Sequence, residues 1–231
     1  MPRLAVVIPV LSDSDALGRL LADMPPDPSV ELLIVDGGND ANLGPPLAGR
    51  PDARVIRSDP GRGIQMNAGA AATTAPLLLF LHADSRLPDG WKAALLELPA
   101  HIAGGWFRFA LDDAAWQARV LELLVAWRVR LLGLPYGDQG LFVRRDVFDR
   151  LGGYQPWPLM EDVDFVRRLT AAGATAAIPL PLRTSARRWR QDGWCRRSLR
   201  NVLLVTLYFS GVAPARLHRW YGVTRDRPPA P

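Results

Sequence analysis

The sequence predicts an α/β domain with a mainly parallel central sheet, followed by a helical, basic C-terminal segment. Three observations lead there. Leu4 to Val10, Leu32 to Val35 and Leu77 to Leu81 are short apolar runs separated by helix-like or loop-like polar stretches, the pattern of strands buried on both faces of a parallel sheet. The 231 residues, 48% of them hydrophobic, can bury one substantial core, and the length suits a single domain. Charge is placed unevenly: residues 183 to 227 hold eleven arginines against Asp192 and Asp226, a balance of +9 within an overall +5.

The chain enters directly into its first strand without a basic segment followed by a signal-type apolar stretch, so no secretion signal is expected. The second run ends in Asp36-Gly37-Gly38-Asn39-Asp40 and the third in His82-Ala83-Asp84-Ser85. Ligands of open α/β sheets gather at the carboxyl ends of the strands, which is where Asp36 and Asp84 fall. An aspartate before two glycines also suits a plain turn. Between these strand ends, Gly61-Arg62-Gly63 and Asn67 form a second polar, flexible region, where Arg62 can meet a phosphate or a base.

Asp113 to Leu132 reads as an amphipathic or largely apolar helix interrupted by Arg119, Glu122, Arg128 and Arg130. Gly133 and Pro135 supply its stop, and its charges argue against a membrane span. Glu161, Asp162 and Asp164 put three acids into four positions before the helical run Phe165 to Leu169. Carboxylates crowded at a helix N-terminus are favoured by the macrodipole, and one held beside others can stay basic enough to take a proton from a hydroxyl group. A helix cap with a solvated acidic first turn uses the same residues. Asn201 to Val212 is more uniformly apolar, but its dozen residues fall short of the roughly 20 that a transmembrane helix needs. Core packing is its default explanation. Arg196, Arg197 and Arg200 before it and Arg216 and Arg219 after it make interfacial membrane docking the alternative.

Cys195 is the only cysteine, which excludes an intrachain disulfide and points to a reducing compartment. It is expected to be a partly buried small side chain. No zinc pattern of cysteines and histidines is present. The expected location is cytoplasmic, with the inner face of a membrane as a possible station. The basic arm suggests phosphate-rich partners: a nucleoside diphosphate, anionic lipid or nucleic acid. The closing Pro228-Pro229-Ala230-Pro231 reads as a frayed tail.

Val7-Ile8-Pro9-Val10, Ile34-Val35-Asp36-Gly37-Gly38, Leu81-His82-Ala83-Asp84 and Glu161-Asp162, in that order, resemble the family 2 glycosyltransferases of GT-A fold over roughly residues 4 to 190. More narrowly, Gly61-Arg62-Gly63-Ile64-Gln65-Met66-Asn67-Ala68-Gly69-Ala70, Tyr136-Gly137-Asp138-Gln139-Gly140 and Thr184-Ser185-Ala186-Arg187-Arg188-Trp189 resemble a bacterial subgroup named for radical-SAM and selenodomain association.

The resemblance implies a catalytic domain over residues 1–190, a helical extension over 191–227 packed on it, and the frayed tail 228–231. It implies an inverting, metal-dependent transfer of a sugar from a nucleoside-diphosphate sugar to a hydroxyl-bearing acceptor, a small molecule or a lipid. Donor contacts fall on Pro9, Asp36, Gly37, Arg62, Asn67 and Asp84. The family position matching Asp36 binds the nucleotide, commonly uridine, so a UDP-sugar is favoured. Asp84 is the expected contact for Mg2+ or Mn2+. The family motif has two aspartates flanking one residue, and here the first is His82, which leaves Asp84 as the ligand. Asp162 is the expected general base, with Glu161 as its neighbour. Trp106, Tyr136, Asp138, Gln139 and Trp157 are expected on the acceptor side, since aromatic faces and amides suit sugars. Ser185 stands where processive members carry a glutamine, which argues against polymer synthesis.

Two other classes are weighed. A nucleotidyltransferase would show an N-terminal glycine-rich loop bearing a lysine, and the only lysine is Lys92. A nonenzymatic module binding a membrane surface or nucleic acid would use the basic arm but leave the ordered acidic motifs unexplained. No nucleic-acid partner is expected.

Overall fold

The first strand, β1 (Leu4–Val10), is buried throughout, and its pleat sorts the core into two layers. Leu4, Val6, Ile8 and Val10 pack on one side, and Ala5 and Val7 on the other, as period-two alternation requires when both faces of a sheet are covered. In this computed structural model, which describes residues 2–11, 13–38 and 43–222, the chain continues through α1 (Ser14–Ala22), β2 (Val30–Asp36), α2 (Gly44–Leu47), β3 (Ala53–Arg57), α3 (Arg62–Ala71), β4 (Leu77–Phe80), β5 (Ser85–Arg86) and α4 (Trp91–Leu96). The second half comprises β6 (Ile102–Leu111), α5 (Trp116–Leu132), β7 (Leu141–Arg144), α6 (Arg145–Leu151), α7 (Glu161–Ala172), β8 (Ala174–Thr184), α8 (Arg187–Asp192), α9 (Trp194–Phe209) and α10 (Pro214–Gly222). The proline-rich end at 228–231 lies outside the described residues.

The strands form one sheet in the order β3-β2-β1-β4-β7-β6-β8-β5. The first four run parallel, as the apolar runs predict. β7 then lies antiparallel to both β4 and β6, β8 parallel to β6 and β5 antiparallel to β8, so the sheet as a whole is mixed. Apolar runs report burial, whereas strand direction depends on how the chain returns. Leu17, Leu20 and Leu21 of α1 and Leu95 of α4 cover one face; Met66 and Ala70 of α3, Val147 and Phe148 of α6, and Phe165, Val166 and Leu169 of α7 cover the other.

Pro9 sits inside a central strand, where a missing N–H would normally break the ladder. Pairing of β1 with β4 stops at Val7, so Pro9 lies beyond that ladder and pairs only with Val35 on β2.

The predicted helix over 113–132 is α5, closed by Gly133 in the left-handed conformation, φ 58°. The apolar run 201–212 falls largely in α9, and core packing accounts for part of it: Leu204 is buried and Val205, Leu207, Tyr208 and Val212 pack against its cluster, while Val202, Leu203 and Phe209, with Leu199 one turn earlier, are exposed. Helix spacing explains the difference, since one contact face cannot bury residues all around the axis. α9 and α10 attach through Leu204 and Leu217, which cluster with Leu134, Met160 and Val163. A division after residue 190 would cut α8. Cys195, expected partly buried, is exposed.

Candidate active site

The strand order reverses between β1 and β4, with α1 on one face and α3 on the other. Chain ends diverge at such a switch point, and ligands bind there. Leu81 N–H still donates to the Val7 carbonyl at 3.0 Å, after which the chain leaves the sheet into His82-Ala83-Asp84. β2 ends on Asp36, a buried carboxylate whose Oδ1 accepts the Gly38 N–H at 2.9 Å, the turn geometry the sequence suggested.

Two candidate donor residues have structural occupations. Gln65, buried on α3, donates from Nε2 to the carbonyls of Val10 and Val35, each at 2.8 Å, tying together the ends of β1 and β2. A Cβ on Gly37 would lie 2.7 Å from the Gln65 side chain, so the glycine makes room for Gln65. Asn67 is likewise engaged: Nδ2 donates to the Tyr154 carbonyl and Oδ1 accepts the Tyr154 N–H, both at 2.8 Å. This amide brackets the loop that leads to Glu161.

Arg62, the first residue of α3, connects the strand-end half of the site to the helix half. Its Nη1 lies 3.8 Å from Glu161 Oε1. Desolvation weakens its charge, but the carboxylates of Glu161, Asp162 and Asp84 outweigh that and hold the guanidinium protonated.

Glu161 and Asp162 open α7 after Met160, whose φ of 68° makes it the only non-glycine residue in the left-handed region among the described residues. That conformation costs roughly 1–2 kcal/mol and turns the chain so that Glu161 enters the interior. Burial pushes its carboxyl up to about 7, reinforced by the charge of Asp162 and opposed by Arg62. Asp162 is more open; its Oδ2 accepts the Gly137 N–H at 2.7 Å and its Oδ1 the Val163 N–H at 2.8 Å.

Asp138 belongs to the same group. Burial pushes its carboxyl up to about 6, Arg128 opposing and the charges of Asp162 and Asp84 adding to it, and its Oδ1 is shut off from solvent without a hydrogen-bond partner. His82 is held neutral: desolvation, then the neighbouring positive charge of Arg62, push it down to about 3 against the pull of Asp162. Tyr136 lies under the Arg128 guanidinium, 3.5 Å from ring centre.

The remaining acceptor candidates have packing or bonding partners of their own. Trp106 is 7% exposed within the core layer under α3 and α7. Gln139 is buried with its amide consumed, Nε2 donating to the Phe107 carbonyl at 3.1 Å and Oε1 accepting from Arg128 and from the Tyr136 N–H, both at 3.3 Å. Trp157 is half-buried against Tyr208 of α9, ring centres 6.3 Å apart.

Sequence reasoning did not assign Arg188. Its guanidinium is weakened by desolvation and by the charge of Arg62 and supported by Tyr221 and Asp84, so it shares their electrostatic field, whereas the adjacent Arg187 is paired with Asp13 at 2.9 Å. The Arg187-Arg188-Trp189 motif drew attention to the pair, but only the fold separates them. Tyr154 was also passed over; its hydroxyl is buried without a partner, in the field of Asp162 and Glu161.

No cluster of three or more His, Cys, Asp or Glu side chains among the described residues could by itself enclose a metal ion. The donor set fits a hard cation that takes one or two carboxylates and completes its shell with phosphate oxygens and water. The charge of Asp84 is felt by both Arg62 and Asp138, and the unpartnered Oδ1 of Asp138 is the other oxygen on offer.

Residues 5–148 match the sequence profile of glycosyl transferase family 2. An uncharacterized glycosyltransferase of Mycobacterium tuberculosis is 29% identical over 129 residues, 54% of this chain and 58% of that protein. A dolichyl-phosphate hexose transferase of Haloferax volcanii is 32% identical over 98 residues, 41% of this chain and 42% of that protein. The matches thus span less than two thirds of either relative's length. Among solved structures, the fold is similar to that of a mannosyltransferase from Pyrobaculum calidifontis in complex with GDP-Man and Mn2+, at a TM-score of 0.59 and 16% identity, covering 80% of this chain and 56% of that one. Glucosyl-3-phosphoglycerate synthase from Mycobacterium tuberculosis, in complex with Mn2+, UDP and glucosyl-3-phosphoglycerate, gives a TM-score of 0.57 at 18% identity over 78% of this chain and 70% of that one.

Proposed function

Because the chain belongs to glycosyl transferase family 2, we propose that it moves a sugar, with inversion, from a nucleoside-diphosphate sugar to a hydroxyl group of a small-molecule or lipid acceptor. One observation carries the reading: Arg62 pairs with Glu161 at 3.8 Å and feels the charges of Asp162 and Asp84, which favours phosphate-binding and proton-accepting groups in one place. Asp36 orients the nucleotide, a uridine by family resemblance, and Arg62 and Arg188 face the diphosphate. A divalent ion, Mg2+ or Mn2+, would be held by Asp84 and would offset the charge of the nucleoside diphosphate as it leaves; the Mn2+ bound in both similar structures supports this.

Asp162, oriented by two backbone N–H groups, takes the proton from the acceptor hydroxyl while that oxygen bonds to the anomeric carbon and the bond to diphosphate breaks. Glu161 positions Arg62 from below, and Asp138 and Tyr136 border the acceptor. The domain runs through about residue 190, with the helices to 227 as its extension. Membership of the radical-SAM and selenodomain-associated subgroup is part of the proposal, supported by the way Arg62, Asp138 and Arg188, one from each of its three segments, meet at the site. So are action in the cytoplasm and, from the basic C-terminal helices, a membrane surface as partner; among the described residues no helix is long and apolar enough to cross a membrane.

The test is release of free nucleoside diphosphate from a panel of nucleotide sugars, with and without Mn2+, in the presence of cell extract whose products are identified by mass spectrometry. Metal-dependent release, lost in a folded Asp84→Asn protein because the amide keeps the shape without the charge, is the expected result. Pyrophosphate release would assign a nucleotidyltransferase, and no turnover with any donor would leave a binding module. Unchanged activity and metal affinity in Asp84→Asn would remove Asp84 from the site.

A further inference from the structure

Among the described residues fourteen large apolar side chains stand exposed, and eleven of them lie on two helices, seven on α5 and four on α9. On α5, Trp116, Val120, Leu123, Trp127 and Leu131 follow the spacing of a single helical face, with Trp116 71% and Trp127 63% exposed. On α9, Leu199, Val202, Leu203 and Phe209 do the same. Neither stripe is the face that holds its helix to the domain. α5 is seated by Ala118 and Val125 against Phe109 and Leu111, and α9 by Leu204 against Leu134 and Val163. The helices share a foundation, because Trp194 at the start of α9 packs into the cluster under α5, and Leu134, two residues beyond α5, packs with Leu204.

An exposed apolar surface of this extent marks an interaction site, and its charges select the occupant. α5, α9 and α10 contain one acidic residue, Glu122, whose Oε1 accepts the Leu111 N–H at 2.7 Å and whose Oε2 pairs with Arg119 at 2.9 Å. Arg119, Arg130, Arg196, Arg216 and Arg219 are exposed on the same three helices. A two-fold contact with a second copy would set arginine against arginine. Anionic headgroups would meet them instead, and indoles beside leucines are the side chains favoured at the boundary of lipid and water.

We propose that the exposed faces of α5 and α9 dock this protein on an anionic phospholipid bilayer, the helices lying in the interface without crossing it. The inference deepens the membrane-surface part of the proposed function by naming the face. It also places the acceptor side near the lipid, since α5 leads through Gly133 into Tyr136 and Asp138 and Arg128 of α5 covers the Tyr136 ring.

Flotation of the full chain with vesicles of equimolar phosphatidylcholine and phosphatidylglycerol, against pure phosphatidylcholine, tests this. The wild type should float with the anionic vesicles and much less with the neutral ones. Leu123→Glu/Trp127→Glu, and independently Leu199→Gln/Leu203→Gln, should weaken binding by at least about tenfold with thermal midpoint and nucleotide affinity unchanged. A wild type that ignores both vesicles overturns the proposal. So does a dimer in light scattering that these substitutions dissociate, which would give the face to a second copy. Binding that survives both apolar pairs but fails in Arg216→Glu/Arg219→Glu would overturn the face while keeping a membrane partner.

Discussion

Glu161 and Asp162 are neighbours in sequence and opposites in environment. Glu161 is 3% exposed with a carboxyl raised to about 7, whereas Asp162 stands at the helix entrance with both oxygens oriented by backbone N–H groups. A base must be held in place to take a proton, and the two backbone N–H groups on Asp162 are why we propose it for that role. Asp162→Asn should therefore keep donor affinity while lowering turnover at saturating substrates by about 10²- to 10⁴-fold, the usual contribution of a positioned base. Glu161→Gln should lower turnover less and act through Arg62. Retained turnover in Asp162→Asn would remove Asp162 as the base, and abolition by Glu161→Gln alone, with donor binding undisturbed, would move the role one residue earlier. The acidic pair was legible in the sequence. Which member turns inward was not, because that depends on the left-handed backbone at Met160, and methionine carries no signal for it.

At the scale of elements, glycine shows how little one letter says without its neighbours. Gly133, read as a helix stop, has φ 58° and open space around it. Gly105 in β6 has no turn to make, yet a Cβ there would lie 1.9 Å from the Ala176 carbonyl oxygen and 2.7 Å from the Phe142 ring. Gly133→Ala should cost about 1–2 kcal/mol through backbone strain alone. Gly105→Ala should cost at least the ~1–3 kcal/mol of an overpacked core, because it pushes β8 away from β6. Urea midpoints of the two variants compare them directly, and equal losses would contradict the packing at Gly105. The three apolar runs became β1, β2 and β4, and Asp36 and Asp84 stand at or just beyond the carboxyl ends of the second and third. β6 and β8 carry no clean strand pattern, since Gly104 and Gly105 interrupt the first and Pro179 and Pro181 the second, and only pairing across the sheet makes those residues strand; β7 is just four residues long.

For the molecule as a whole, the buried acid couples the site to stability. The Glu161 carboxyl rises from its ordinary 4.5 to about 7 in the fold, so between those values the native state holds a proton that the unfolded chain has released. Stability then falls as pH rises through that window, the sign opposite to that of a salt-bridged carboxylate. Asp138, raised to about 6, adds to the fall and His82, lowered to about 3, opposes it, so the Glu161 part is read as a difference: thermal midpoints recorded from pH 4 to 8 should fall more steeply in the wild type than in Glu161→Gln, and parallel curves would refute the assignment. The same acid meets Arg62 across the join between the parallel half of the sheet and α7. Local residue patterns by themselves determined the strand runs, the strand-end aspartates, the acidic helix start and the order of motifs that marks the family. These survive as one-dimensional signals because each depends on burial periodicity or on a few adjacent residues. Tertiary structure alone decided that the amides of Gln65, Asn67 and Gln139 tie the scaffold together, that Arg188 shares the field of Arg62 and Asp84 while Arg187 pairs with Asp13, and that α9 leaves apolar side chains uncovered. Each of those outcomes depends on which distant backbone atom or helix comes within a few ångströms, a distance that no local pattern encodes.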